Sequence, residues 1–196
     1  MPDINAVLAA IDAANALDPF AVMVEGARLP ANLIYGQRMS TELAAFAPGA
    51  SEPLQIAARG QHIERWIIPR SAFPMDRVGY LRWRHELKEH HATKLAEILR
   101  ALDYPPEIVT RVGEIVRKSG LKRDPEVQVL EDVVCIVFLK HEISGFIEKH
   151  RDDRLKLAGI IAKTWGKMSE AGHMAALALP PSPEVVDLLK EGLAAK

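Results

Sequence analysis

Residues 127–139 read VQVLEDVVCIVFL and are the most apolar run in the sequence. Almost every residue in it is apolar, which is typical of a segment buried in a protein core. Two adjacent carboxylates, Glu131 and Asp132, interrupt the run at its centre. A carboxylate inside a core is costly unless a cation, a metal ion or several hydrogen-bond donors meet it. We therefore expect a compensating group beside Asp132.

The length and charge of the chain limit its class and its partners. Its 196 residues suffice for a single domain, and we expect an N-terminal helical arm (1–50), a core (51–178) and a C-terminal helix (179–196). The formal net charge of −1 argues against a globally basic nucleic-acid binder. Residues 59–94, however, carry eight Arg or Lys residues against four Asp or Glu residues. This excess predicts an anionic small-molecule ligand.

The single cysteine and the N-terminus predict a cytoplasmic location. Cys135 lies in the most apolar stretch, so no disulfide framework or thiolate zinc site is expected. The N-terminus is acidic and lacks the positive charge of a secretion signal, and no apolar run reaches the length of a membrane span. We expect no membrane partner.

The hydrophobic pattern predicts an all-α protein of seven or eight helices with no strands, because apolar residues recur at spacings of three and four. The longest predicted helix places His91 on its buried stripe, and the helix before it carries Arg59 and His62. The helices are expected at residues 3–17, 30–46, 51–67, 77–101, 108–118, 125–149 and 151–178, followed by a short one opened at Ser182 and Pro183.

Three residues on three predicted helices could hold a metal ion: His62, His91 and Asp132. Imidazole and carboxylate ligands suit Mn, Fe, Ni or Zn, and helical bundles build metal centres from side chains on facing helices. A plainer alternative is that both histidines are hydrogen-bonded core residues and that an arginine such as Arg59 or Arg65 neutralises Asp132. The sequence leaves both interpretations open.

Two resemblances sharpen these expectations. The run from His91 to Leu139 resembles the second half of an HD domain, the helical superfamily of metal-dependent phosphohydrolases, and RGQHIERW (59–66) resembles its first metal-binding helix. The segments PRSAFPMDRVGYLRWR (69–84), LEDVVC (130–135) and KTWGKMSEAG (163–172) also resemble a bacterial and fungal family that is known only as a domain of unknown function. The HD resemblance implies an HD-like bundle, with His62 as the first metal ligand and Asp132 as the last.

The chain departs from the HD pattern in two places. His91 is followed by Ala92 where the superfamily has Asp, and the alternative register offers only His85-Glu86. Lys118 stands where many two-metal members have His. These departures predict one divalent metal at most, or a degenerate site.

Roles for the remaining site residues follow from the resemblance and from side-chain chemistry. Glu131 would orient a ligand from the second shell of the metal, and Arg59 and Lys118 would grip phosphate oxygens as part of the catalytic set. The wider substrate-binding set is Arg59, Arg84, Lys88, Lys118 and Lys122.

The resulting functional hypothesis is a metal-dependent phosphohydrolase that acts on a phosphorylated small molecule such as a nucleotide. The metal would lower the pKa of a bound water and so supply the nucleophile. One alternative is a non-catalytic ligand-binding or interaction protein with a degenerate HD-like site, and another is an HD-type iron oxygenase.

Overall fold

The computed structural model describes residues 3–180 and 182–195 and is predominantly helical. The described residues form ten α-helices and one small sheet, so the all-α class holds broadly. The α-helices are α1 (Ile4–Asn15), α2 (Ala31–Phe46), α3 (Glu52–Arg59), α4 (Arg77–Ala101), α5 (Pro106–Arg117), α6 (Pro125–Val137), α7 (Ile143–Lys149), α8 (Arg154–Trp165), α9 (Glu170–Leu177) and α10 (Pro183–Ala194).

The chain divides into two compact units. The first ends at Gly120 and contains α1 to α5, and the second begins at Leu121 and contains α6 to α10. The expected single domain with an arm and a core stays a prediction. No described helix is both long and apolar enough to cross a bilayer.

A two-stranded antiparallel hairpin in the first unit corrects the expectation that no strands would form. Strand β1 (Ala21–Val24) pairs with β2 (Ala27–Pro30). The two residues that join them, Glu25 and Gly26, both have positive φ, which is the conformation of the tight hairpin turn whose twist matches that of the strands. With only four residues in each strand, the alternating pattern was too short to stand out.

The helix that was predicted over 51–67 ends early, so His62 does not lie on a helix. The hydroxyl of Ser51 accepts a hydrogen bond from the Leu54 amide at the start of α3, and the helix stops at Arg59. Gly60 follows with its Cα against Leu95 of α4, because a Cβ there would lie 2.4 Å from a Leu95 methyl carbon. The chain then turns through residues 60–64 into a short 3₁₀ segment, Arg65–Ile67.

The long helix α4 has the bounds that the sequence predicts. The Asp76 carboxylate caps it by accepting a hydrogen bond from the Gly79 amide at 2.7 Å. Its buried stripe includes Leu87, His91 and Leu95. The packing of α5 against both α3 and α4 brings the turn at 60–64 and the C-terminal end of α5 to the same region of the first unit.

The second unit contains more helices than expected because two predicted helices are interrupted. A π-helical turn, Phe138–Glu142, separates α6 from α7, and a turn at residues 166–169 separates α8 from α9. Helix α10 packs closely on α8 because Gly192 has no side chain, and a Cβ there would lie 2.2 Å from the Ala158 carbonyl oxygen. The apolar cluster of this unit comprises Ile143, Ile147, Leu157, Ala158, Ile161 and Leu188.

Candidate anion-binding site

A small pocket in the first unit gathers most of the site residues predicted there. It collects residues from the turn at 60–64, the 3₁₀ segment, α4 and the C-terminal end of α5. They are Gln61, His62, Arg65, Arg84, Leu87, Lys88, His91, Val116 and Lys118.

His91 is buried in this pocket and bonded on one side only. Its side chain is 3% exposed, and Nδ1 lies 2.7 Å from the Ile63 carbonyl oxygen. A carbonyl oxygen can only accept, so Nδ1 carries the proton and donates it. In the neutral ring, Nε2 is then an acceptor, and it has no hydrogen-bond partner among the described residues. A buried polar atom left in this state points to a ligand.

The surroundings of His91 keep its ring neutral. Burial lowers the pKa of His91 to about 3, and the nearby positive charges of Arg65 and Arg84 act in the same direction, although the hydrogen bond to Ile63 opposes them. The imidazole is therefore uncharged near neutral pH, and Nε2 presents a lone pair.

His62 lies beside His91 and is held by stacking. Its ring packs on Tyr35 with centroids 4.0 Å apart and planes 18° from parallel, and its centroid lies 6.0 Å from that of His91. The Tyr35 hydroxyl donates a hydrogen bond of 2.7 Å to Gln61, which fixes the turn. Burial, followed by the charge of Arg65, lowers the pKa of His62 well below its usual range.

The charged side chains among the described residues that line the pocket are all positive. The lining residues include four cations, Arg65, Arg84, Lys88 and Lys118, and none of the described lining residues is a carboxylate. The guanidinium of Arg65 also lies over the Trp83 ring, 4.8 Å from its centroid. The pocket therefore combines cations with two neutral imidazoles, which suits an anion.

Lys118 reaches the pocket from a left-handed backbone conformation. It caps the C-terminus of α5 with φ 60° and ψ 40°, where glycine is usual. The Ser119 amide closes the cap on the Glu114 carbonyl at 3.0 Å. A side chain kept at a position that favours glycine is a strained arrangement of the kind found at functional sites.

Asp132 lies in the second unit, where neutral groups satisfy its carboxylate. Its side chain is buried on α6 and accepts hydrogen bonds from the Ser169 amide at 2.7 Å, the Ser169 hydroxyl at 2.6 Å and the Gln128 side chain at 3.1 Å. The compensating group expected beside Asp132 is thus a set of hydrogen-bond donors, two from Ser169 at the start of α9 and one from Gln128 on α6 itself. The predicted metal-ligand role of Asp132 stays a prediction.

Two other predicted residues also lie in the second unit. The Glu131 carboxylate is almost fully buried and pairs with Lys167, whose Nζ lies 3.3 Å away. Lys122 donates a hydrogen bond of 3.0 Å to the Gly166 carbonyl. The roles predicted for Glu131 in catalysis and for Lys122 in substrate binding stay predictions.

Arg59 does not line the pocket of the first unit. Its guanidinium makes a two-point contact with Asp12 of α1, with an Nε–Oδ1 distance of 2.7 Å, and a longer contact of 3.3 Å with Ser40. This arrangement fixes α3 to α1. The Asp12 carboxylate therefore already occupies the edge of the Arg59 guanidinium that we expected to bind phosphate.

The potential metal ligands in the pocket do not by themselves fit a divalent cation. His62 and His91 supply two imidazoles, but four cations surround them. Across the part of the chain that the structure describes, no group of three or more His, Cys, Asp or Glu residues is arranged to hold a metal ion. The alternative register is also poorly placed, since His85 and Glu86 are both exposed on α4.

Several residues at these sites were not foreseen from the sequence. Tyr35 and Gln61 position His62, and Ser169 and Gln128 satisfy Asp132. Ser169 carries a detectable signal, because a Ser followed by Glu170 is typical of a helix start. Gln128 also carries a local signal, because it lies one helical turn before Asp132 on α6. Tyr35 and Gln61 act through tertiary contacts, and no local pattern marks them.

The fold and the pocket define a predominantly helical protein whose first unit carries a basic pocket with two neutral imidazoles. The chain belongs to the family described as Domain of unknown function (DUF4202), whose family model matches residues 5–189. No curated protein and no solved structure matches the chain.

Proposed function

We propose that the protein binds a phosphorylated small molecule in the basic pocket of its first unit. The observation that supports this function best is the pocket lining, in which Arg65, Arg84, Lys88 and Lys118 accompany two neutral imidazoles and none of the described residues is a carboxylate. A phosphoryl group has several charged oxygens and can contact more than one of these cations at once.

The burial of the pocket strengthens this attraction. Charges in a partly desolvated site interact more strongly than the same charges in water, and salt screens them less. Arg84 and Lys88 lie one helical turn apart on α4, so their side chains leave the same face of the helix. Lys118 contributes from the end of α5, and Arg65 from the 3₁₀ segment.

The test is a calorimetric titration of the full chain with inorganic phosphate and with pyrophosphate. We expect both to bind and the Arg84→Gln variant to bind at least about tenfold more weakly, because it loses a charged hydrogen-bond donor. The matched control is Arg82→Gln, which changes an exposed arginine two residues away on the same helix. Equal affinities in the two variants, or no binding by the wild-type protein, would overturn the proposal.

The metal-dependent phosphohydrolase is a second candidate, and one feature of His91 supports it. Histidines that ligate metals usually donate their other ring N–H to a carbonyl or carboxylate, as His91 does to Ile63. Elemental analysis of the purified protein for Mn, Fe, Ni and Zn tests this candidate. Stoichiometric metal that is lost in folded His62→Ala and Asp132→Ala variants would support it, and bound iron would favour the oxygenase alternative. A metal-free protein that binds phosphate would leave the ligand-binding alternative.

A further inference from the structure

We infer that the pocket selects anions that carry a hydrogen-bond donor and discriminates against anions of the same shape and charge that carry only acceptors. The donor would be a protonated oxygen of a phosphate, or a hydroxyl next to it in a larger ligand, and it would bond to Nε2 of His91. This inference rests on the proposed function, since it concerns the same pocket.

The tautomer of His91 follows from its hydrogen bond to the Ile63 carbonyl. The nitrogen that faces the Ile63 carbonyl, at 2.7 Å, must carry the ring proton, because the carbonyl can only accept. In the neutral ring, the opposite nitrogen, Nε2, then has a lone pair and no proton. Turning the ring over would place Cδ2 against the Ile63 carbonyl and lose this hydrogen bond, so the hydrogen bond also fixes the orientation of the ring.

The acceptor at the other edge of the ring, Nε2 of His91, is buried. His91 is 3% exposed and lines the pocket, and its Nε2 has no hydrogen-bond partner among the described residues. An unsatisfied buried acceptor destabilises the protein, and a ligand that brings a donor removes this cost on binding. A ligand that presents only oxygen lone pairs leaves the cost in place and adds repulsion between the two lone pairs.

Different groups in the pocket account for the attraction of anions and for the selectivity between them. The four cations that line the pocket attract any dianion of suitable size, and they do not distinguish between two dianions of equal charge. His91 does distinguish them, because its Nε2 accepts from the one that carries a proton. The cations therefore set the affinity of the pocket, and the neutral imidazole sets its preference.

Hydrogen phosphate and sulfate make a close test pair. At about pH 8 both are tetrahedral dianions, and they differ mainly in the one proton that phosphate keeps. We expect calorimetric titration at this pH to give at least about tenfold tighter binding for phosphate. Arsenate, which also keeps a proton, should group with phosphate, and selenate, which does not, should group with sulfate.

Each outcome of this titration decides between the two proposals. Binding of all four anions with similar affinity would overturn the selectivity while leaving the anion-binding function intact. Binding of none of them would overturn the function and the selectivity with it. A preference for sulfate and selenate would overturn the role assigned to Nε2.

Variants at two adjacent histidines test whether His91 is the source of the preference for phosphate over sulfate. His91→Gln replaces an acceptor-only edge with an amide that can also donate, so the preference for phosphate over sulfate should fall to within about threefold. His90→Gln is the matched control, because His90 is the next residue but does not line the pocket, and the preference should persist there. Arg84→Gln should weaken all four anions alike and keep their ratio. The wild-type comparison stands even where His91→Gln does not fold.

Discussion

Two buried polar residues, His91 in the first unit and Asp132 in the second, look equivalent in the sequence and differ in the structure. Both lie on the buried faces of helices, α4 and α6, and both are nearly inaccessible to solvent. Asp132 accepts three hydrogen bonds from Ser169 and Gln128, whereas His91 uses one ring nitrogen and leaves the other without a partner among the described residues. Burial alone therefore does not identify a functional group.

The difference between the two residues lies in what completes their hydrogen bonding. The protein itself completes Asp132, and this contact ties the start of α9 to α6. His91 is completed on one side only, and the same residue lines a pocket that four cations also line. A buried group that the protein satisfies serves the architecture, whereas one that it leaves half satisfied is available to a ligand.

The largest expected effect comes from removing the Asp132 carboxylate. Asp132→Ala removes the acceptor of three partly buried hydrogen bonds from Ser169 and Gln128, so we expect the free energy of unfolding to fall by about 3 kcal/mol. Phosphate affinity of the folded protein should stay unchanged. Urea unfolding and calorimetry measure the two quantities.

The control for this variant is Asp152→Ala, which removes an exposed carboxylate from the same unit and should change the stability by less than about 0.5 kcal/mol. The opposite pattern would be an Asp132→Ala protein of normal stability that has lost a bound metal or phosphate. That pattern would assign Asp132 to the ligand site that the sequence predicts.

The next effect is a loss of stability on acidification that originates at His91. The unfolded chain takes up a proton on this residue near pH 6.5, whereas burial lowers the pKa in the folded protein to about 3. Protons therefore favour the unfolded state between these two values, and stability that is present at neutral pH is lost as the pH falls. Between about pH 7.5 and about pH 5, His91 alone should account for about 2 kcal/mol.

Variants separate His91 from the other groups that titrate in this range. In His91→Gln, the fall in the free energy of unfolding below about pH 6.5 should be shallower by about 1.4 kcal/mol per pH unit. His85→Gln changes an exposed histidine on the same helix and is the matched control. Identical slopes in both variants would mean that His91 is charged in the folded protein.

A smaller effect tests how tightly the protein encloses Asp132. A Cβ on Gly172 of α9 would lie 2.5 Å from Asp132 Oδ1, so Gly172→Ala should cost between about 1 and 2 kcal/mol of unfolding free energy. Gly159→Ala is the matched control, because this helical glycine has nothing within 4 Å of the added Cβ. That substitution should stabilise the protein by up to about 1 kcal/mol through helix propensity. Equal effects of the two substitutions would contradict the close contact at Asp132.

The sequence predicted the regions that depend on local signals. Helix α4 has the predicted bounds, since Asp76 is a strong cap and the apolar residues keep a helical spacing over the whole length. The burial of His91 and of Asp132 is confirmed as well, because each lies on an apolar stripe that can face only a core. These features require no knowledge of what lies opposite.

The sequence could not predict which groups meet those residues. Ser169 is 37 residues from Asp132 along the chain, and Ile63 is 28 residues from His91. The early end of α3 depends on the close approach of Gly60 to Leu95, which is also a tertiary contact. Without those partners, a carboxylate and two histidines on apolar segments predict a metal centre and a hydrogen-bonded core equally well.

The smallest expected change in stability comes from Lys118, which lines the pocket and also has a strained, left-handed backbone conformation. Glycine adopts the left-handed conformation of this residue without a steric penalty, so Lys118→Gly should stabilise the protein by up to about 1 kcal/mol. The same substitution removes a cation from the pocket, so phosphate should bind about tenfold more weakly. Lys118→Ala should weaken phosphate to a similar extent without the gain in stability, because alanine keeps the strained backbone. Asp103 also has a positive φ but does not line the pocket, and Asp103→Gly should therefore stabilise the protein without changing phosphate binding. If Lys118→Gly gains stability and keeps full phosphate affinity, Lys118 serves the helix cap alone, and the cations on α4 and the 3₁₀ segment must account for anion binding.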